Sequence, residues 1–113
     1  MINVFDKLGN EKQLLENNDI EFGEGYIKFS NGILICFGRV EAKAGEVEGM
    51  YTYAKTFISI PVTVAVHNWS NVSRGQVTVG GRSRTQVNVE IYDNDNDISR
   101  DRHADLISIG RWK

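Results

Sequence analysis

The sequence predicts an all-β fold, a six-stranded antiparallel β-sandwich. Two stretches, "VTVAVHNW" at 62–69 and "QVNVEIY" at 86–92, alternate apolar and polar residues with period two. That pattern marks a strand with one buried face. Further short apolar runs occupy 33–40, 51–58, 75–80 and 106–110. Turn-forming clusters punctuate them: "SNG" at 30–32, "KAGEVEG" at 43–49, Pro61, "SNVSRG" at 70–75, "GGRSR" at 80–84 and "DNDND" at 93–97. Short strands separated so regularly by turns indicate a sandwich.

Taken in order, residues 1–28 read as a neck or linker segment and residues 29–113 as the sandwich domain. In the neck, Phe5, Leu8, Leu14 and Leu15 are scattered among polar residues, with a short helix expected near 10–17. The first strand, "ILICFGRV", is apolar on both faces; with Ile33, Ile35 and Phe37 turned inward, Leu34 and Cys36 face outward. Pro61 cannot donate to a ladder and belongs at a corner. Val62, Val64 and Val66 then share one face, and Thr63, Ala65, His67 and Trp69 the other. Val87, Val89 and Ile91 point inward, whereas Leu106 and Ile107 repeat the two-sided apolarity of the first strand. A sandwich strand keeps one face in water. Two strands that are apolar on both faces therefore call for a further apolar neighbour, and another copy of the chain is the simplest source.

At 113 residues, with 41% apolar and 25% charged residues, the chain is one globular domain. Thirteen basic residues against 15 acidic ones give a net charge of −2. That balance excludes a binder of nucleic acid that works by displacing counterions. The single Cys36 forms no intrachain disulfide, reads as a buried thiol, and lacks the partners of a structural zinc site. No basic-then-apolar leader opens the chain, and no apolar run nears the roughly 20 residues that span a bilayer. No signal peptide and no membrane insertion are expected. No Gly-x-Ser-x-Gly elbow or phosphate-cradling loop occurs. Glu90 and an Asp of the 93–97 loop are the only carboxylates suggested for hydrolysis, and nothing singles them out, so no enzyme activity and no cofactor are expected.

Binding residues are sought in the loops. Asp93, Asp95 and Asp97 fill the first three ligand positions of a calcium loop, but Ile98 and Ala104 stand where an EF-hand needs Gly and Glu, and no metal is assigned. The other readings of this run are a solvated interstrand loop and a sugar-binding rim that uses Asn94, Asp95 and Asp97. Arg100 and Arg102 follow it, and Arg82 and Arg84 occupy the "GGRSR" turn. Guanidinium forks suit the carboxylates or phosphates of an anionic glycan; the same arginines also suit pairing with nearby aspartates. Antiparallel neighbours would bring the two loops to one end. Trp69 and Asn71 adjoin them, the ring serving either as a sugar platform or as rim packing. The candidate ligand-binding set is thus Trp69, Asn71, Arg82, Arg84, Asn94, Asp95, Asp97, Arg100 and Arg102.

Three segments carry a family resemblance. "GYIKFSNGILICFGRV" (25–40) resembles the opening strand of the C-terminal domain of bacteriophage tail fibres. "KTFISIPVTVAVHN" (55–68) is similar to a strand pair shared by those tips and the H-type lectins, and "ADLISIGRWK" (104–113) to their closing strand. The resemblance covers residues 25–113 and implies an H-type lectin-like sandwich that assembles as a homotrimer. It also implies recognition of bacterial surface polysaccharide or lipopolysaccharide and a place on the virion tail fibre of a phage or prophage, after synthesis in the bacterial cytoplasm. A structural domain that trimerises or caps a fibre, and a secreted H-type lectin, are the alternatives. The Trp-His pair of the animal lectins falls near Asn94 and Asp95, where no aromatic ring stands, so their specificity for galactosamine-type sugars does not carry over. Fibres that hold an axial metal through histidines make His67 and His103 further candidates.

Overall fold

The computed structural model describes residues 20–68 and 75–113. Among these, eight strands form two antiparallel sheets. They are β1 (Ile20–Gly23), β2 (Tyr26–Phe29), β3 (Ile33–Ala42), β4 (Glu48–Thr52), β5 (Val62–His67), β6 (Gln76–Arg82), β7 (Gln86–Tyr92) and β8 (Arg102–Arg111). The larger sheet runs β1-β2-β3-β8-β5 and the smaller β4-β7-β6. The all-β sandwich expected from the sequence is present, with eight strands in place of six. The two added strands, β1 and most of β2, fall inside the segment read as a neck; the rest of that segment, including the expected helix near 10–17, lies outside the described residues.

Glycines in left-handed backbone make the tight turns. Gly25 (φ 82°) closes β1 onto β2, and Gly32 (φ 104°) turns β2 into β3. Asn31 steadies the second turn, its Oδ1 accepting from the Ile33 amide at 3.1 Å. At the β6–β7 turn, Ser83 Oγ accepts from the amides of Thr85 and Gln86, both at 3.2 Å. The pair Gly80 and Gly81 belongs to β6 itself, where the register with β7 shifts between Val79 and Arg82; a bulge is where strand glycine is favoured.

The expected strand at 51–58 ends at Thr52. Beyond it the chain crosses from the smaller sheet to the larger, and its amides bond to the β6–β7 turn and the end of β8 instead of a ladder. Tyr53 donates to Thr85 O, Phe57 to Arg84 O and Ile58 to Arg111 O. Phe57 is buried and closes that end of the core. Its ring meets Tyr53 edge-on at 5.0 Å.

The core lies between Leu34, Cys36, Val40 and Ala42 of β3, Ala104 and Leu106 of β8, and Val87, Val89 and Ile91 of β7. This reverses the expected orientation of β3. Leu34 and Cys36 are fully buried, whereas Phe37 is exposed. On β8, Leu106 is inward and Ile107 outward. The same parity turns Thr63 inward on β5, where its hydroxyl meets Ser108 Oγ at 2.6 Å and Tyr53 Oη at 3.3 Å. These buried hydroxyls satisfy one another, as buried polar groups must. Cys36 is a free buried thiol, as expected.

Candidate functional site

Two surfaces have the character of interaction sites: the loop end of the sandwich and the outer face of the larger sheet. Strand direction decides which loops meet. β7 starts after the 83–85 turn and ends at Tyr92, so Arg82 and Arg84 sit at one end and the 93–101 loop at the other. Seven strand residues separate the two loops, about 20 Å at roughly 3.3 Å per residue. The expected meeting of the two arginine-bearing turns does not occur.

The 93–101 loop instead packs on the β3–β4 turn. Gly45 donates to Ile98 O at 2.7 Å, and the Ala44 amide to Asp101 Oδ1 at 2.8 Å. The loop is a short 3₁₀ turn, Asn94–Asn96. It is closed by a hydrogen bond from the Asp93 amide to Asp97 O at 3.0 Å. Asp95 and Asn96 adopt left-handed backbone, φ 60° and 61°; Asp and Asn tolerate that region better than other non-glycine residues. This chemistry explains why the run is rich in Asp and Asn without any need for calcium. Asp93 is not a surface ligand: its side chain is buried, with Oδ2 accepting from Arg100 Nε at 2.5 Å. His67 Nε2 lies 3.2 Å from the other oxygen, out of line for a hydrogen bond. Asp97 Oδ1 accepts from the Ser99 amide at 2.8 Å. That bond is stronger to the ionised carboxylate than to the acid, and it draws the Asp97 pKa below the usual value. Among the described residues no group of three His, Cys, Asp or Glu side chains is placed to hold a metal ion.

Arg102 requires correction. Proposed from sequence as a ligand-binding residue, it is fully buried. Its guanidinium donates to the carbonyls of Ile91 (2.7 Å), Ile98 (3.0 Å) and Arg100 (2.6 Å), and also to Glu46 O. It ties the loop end together and offers no donor to a ligand. Asn94, Asp95, Asp97 and Arg100 do gather at the loop end, with Arg100 engaged by Asp93. Arg82 and Arg84 are exposed at the opposite end. Trp69 and Asn71 lie outside the described residues. His67 is turned into the sandwich, which removes it as an axial ligand. His103 stays on the outer sheet face, its Nε2 2.9 Å from Glu41 Oε2.

The outer face of the larger sheet is the surface sequence reasoning sensed but assigned to the wrong side chains. Register places apolar residues in rows across it. Phe22 pairs with Ile27, Ile27 with Ile35, Ile35 with Ile109, and Ile109 with Val62. Phe37, Ile107 and Val64 form the next row. Directly paired strand residues point to the same side, so these rows make one continuous apolar surface. Phe22 is 74% and Val62 69% exposed. The rows beyond are polar: Arg39 pairs with Asp105 at 3.1 Å, and Glu41 holds both His103 and Lys43.

Solved tail-fibre structures share this antiparallel two-sheet fold. This chain superposes over 91% of its length on 94% of an N-truncated R1-type pyocin tail fibre, with a TM-score of 0.63 and 12% identity. A C-terminal piece of the P. aeruginosa R2 pyocin fibre matches over 81% of this chain and 25% of its own length, with a TM-score of 0.64 and 14% identity. An N-truncated R2-type pyocin tail fibre matches over 81% and 36%, at 0.62 and 13%. The chain thus spans between a quarter and about a third of those two R2 pieces. No family model and no curated protein matches it. The fold is that of the pyocin fibre structures; at such identities nothing further transfers.

Proposed function

We propose that this chain is the receptor-binding tip of a phage, prophage or pyocin-type tail fibre, assembled as a homotrimer and carried on the particle's tail. In this reading it adheres to a bacterial surface polysaccharide or lipopolysaccharide. Self-association occupies the outer face of the larger sheet, which leaves the loop end at 43–47 and 93–101 free to meet the cell. Carboxylates and amides at Asn94, Asp95, Asn96 and Asp97 suit sugar hydroxyls. Weak sites repeated in each copy multiply through effective concentration. The observation that carries the reading is the continuous apolar outer face, in a fold shared with tail-fibre structures.

A purely structural trimerising or capping domain is the second reading. It is favoured by the internal hydrogen bonding of the loop end, where Asp93, Asp97 and Asp101 all serve the chain itself. Light scattering and whole-cell or glycan-array binding separate the readings. The adhesive trimer is expected at three times the 12.7 kDa chain mass, with binding lost on Asn94→Ala/Asp95→Ala at unchanged mass. A trimer that binds no cell or glycan supports the structural domain, and a monomer at micromolar concentration rejects both.

A further inference from the structure

A buried pair of titratable groups closes the core at the loop end. Period two carries Thr63, Ala65 and His67 to the inward face of β5, and it continues the inward series of β7, Val87, Val89 and Ile91, to Asp93. Both side chains are buried: 12% of His67 and 5% of Asp93 remain exposed. Yet His67 Nδ1, His67 Nε2 and Asp93 Oδ1 have no hydrogen-bond partner among the described residues. Nε2 and Oδ1 are 3.2 Å apart, close enough to bond but out of line. Buried polar atoms are nearly always paired, so three adjacent orphans call for a physical account.

The surroundings leave one anion facing His67. Ala104 of β8 is its register partner. Arg102, two residues away on the same face of that strand, directs its guanidinium to backbone carbonyls and not to Asp93. His103 and Asp105 lie on the opposite face of β8, where Glu41 and Arg39 hold them. The β6 residues packed on the core, Val77 and Val79, carry no charge. Tyr92 turns to the other face of β7. Arg100 comes from the loop, and its Nε donates to Asp93 Oδ2 at 2.5 Å. The second carboxylate oxygen is left toward His67.

We propose that His67 and Asp93 form an acid-operated latch, in which protonation of His67 creates an ion pair that ties the end of β5 to the start of the 93–101 loop. A neutral imidazole has one donor and one acceptor. The imidazolium has two donors, so Nε2 then carries hydrogen whichever tautomer preceded it. Only the ring need turn, since the two atoms already stand at bonding distance and the last torsion of histidine is broad. Arg100 keeps Oδ2, because a carboxylate accepts at both oxygens. Histidine is the side chain whose charge ordinarily changes between pH 5 and pH 8, so mild acid closes the latch. The latch stands without the adhesive reading; its consequence for attachment, a firmer loop end in mild acid, rests on that reading.

Nuclear magnetic resonance of the full chain between pH 8 and pH 5 tests it. The His67 ring is expected to take up a proton across that range, with His103→Gln used to tell the two rings apart. Hydrogen exchange at the Gly45, Asp93 and Asp97 amides, which close the loop end, is expected to slow by about tenfold beyond the intrinsic effect of pH, the scale of one bond from a charged donor. His67→Gln should abolish the slowing, and so should Asp93→Asn, which keeps the shape and removes the charge. A His67 ring that holds one charge state throughout overturns the latch, as does exchange that ignores pH or slows equally in His67→Gln. The ring and exchange measurements on the parent chain refute the inference even where a variant fails to fold. A chain that binds no cell or glycan yet shows the coupled response rejects the adhesive reading and keeps the latch.

Discussion

Replacing Arg102 with Met tests whether the loop end is held by one buried guanidinium. The substitution keeps most of the apolar stem and removes every donor. Four carbonyls, those of Ile91, Ile98, Arg100 and Glu46, lose their partner. A hydrogen bond from a charged donor contributes about 1.5–3 kcal/mol net to stability, so a simple sum over four would reach about 6–12 kcal/mol. Two effects reduce it. Burying the cation carries its own desolvation cost, which the Met variant avoids. The bonds to Ile98, Arg100 and Glu46 are only partly buried, so water can replace the donor there. A net loss of about 3 kcal/mol remains. Arg102→Ala also removes the stem beyond Cβ, two methylenes at about 0.8 kcal/mol each, and is expected to cost about 1.6 kcal/mol more.

Urea unfolding followed by far-ultraviolet circular dichroism measures the difference. Protein concentration must be matched, because assembly shifts apparent stability. For a domain of this size about 3 kcal/mol corresponds to a Tm lowered by roughly 12–24 °C. If Arg102→Met unfolds within about 1 kcal/mol of the parent, the desolvation of the cation equals the value of its bonds. The guanidinium would then be dispensable to the fold. Equal stability combined with lost cell binding would return Arg102 to the ligand-binding set.

Three shorter predictions follow from the same structure. The Asp97 pKa is depressed by the Ser99 amide, so its contribution to stability is present above the unfolded value near 3.8 and is lost as pH falls through the folded value; Asp97→Asn should flatten the acid limb of the urea midpoint between pH 5 and pH 2. Burial raises the Cys36 thiol pKa, so a disulfide reagent at pH 8 should leave the native protein unmodified and react fully once urea unfolds it. A Cβ at Gly49 would overlap the Glu41 carbonyl, a backbone atom; Gly49→Ala should therefore force β4 away from β3 and lower stability by about 1–3 kcal/mol in the same unfolding assay.

Period-two alternation located β5 and β7 almost to the residue, because each presents a consistent pattern to one core. The start of β8 was hidden. Arg102 and His103 open it, and a buried arginine resembles a surface one until the carbonyls around it are known. The β1–β2 hairpin was hidden for a related reason: its strands are four residues each, too short for alternation to show. At the loop end the sequence did reveal a polar turn between strands, but Asp93 could not be told from Asp95 or Asp97. One is buried against Arg100 and the others are exposed, and only the path of the backbone separates them.

The orientation of β3 was recoverable from its whole length. Read over 33–37 alone, both parities are apolar and either can face the core. Carried through the strand, the odd positions continue as Arg39 and Glu41 and the even ones as Gly38, Val40 and Ala42. Charge excludes the odd parity from the interior, so Leu34 and Cys36 must be inward. β8 obeys the same logic in part, with His103 and Asp105 in phase with Ile107 and Ile109, though buried Arg102 shows that one charge can break it. Correct phasing strengthens the case for assembly. The outward-facing residues become half-buried Ile33 and Ile35 and exposed Phe37, Ile107 and Ile109, joined by the valines of β5, and they form one surface instead of two separate strips. Their polar continuations, Arg39 with Asp105 and Glu41 with His103, pair across β3 and β8 in adjacent rows. A single sheet face thus changes from apolar to ionic along its strands, and the ionic rows lie toward the loop end. An interface on the apolar portion would leave that end in water, where the loops can reach a cell surface.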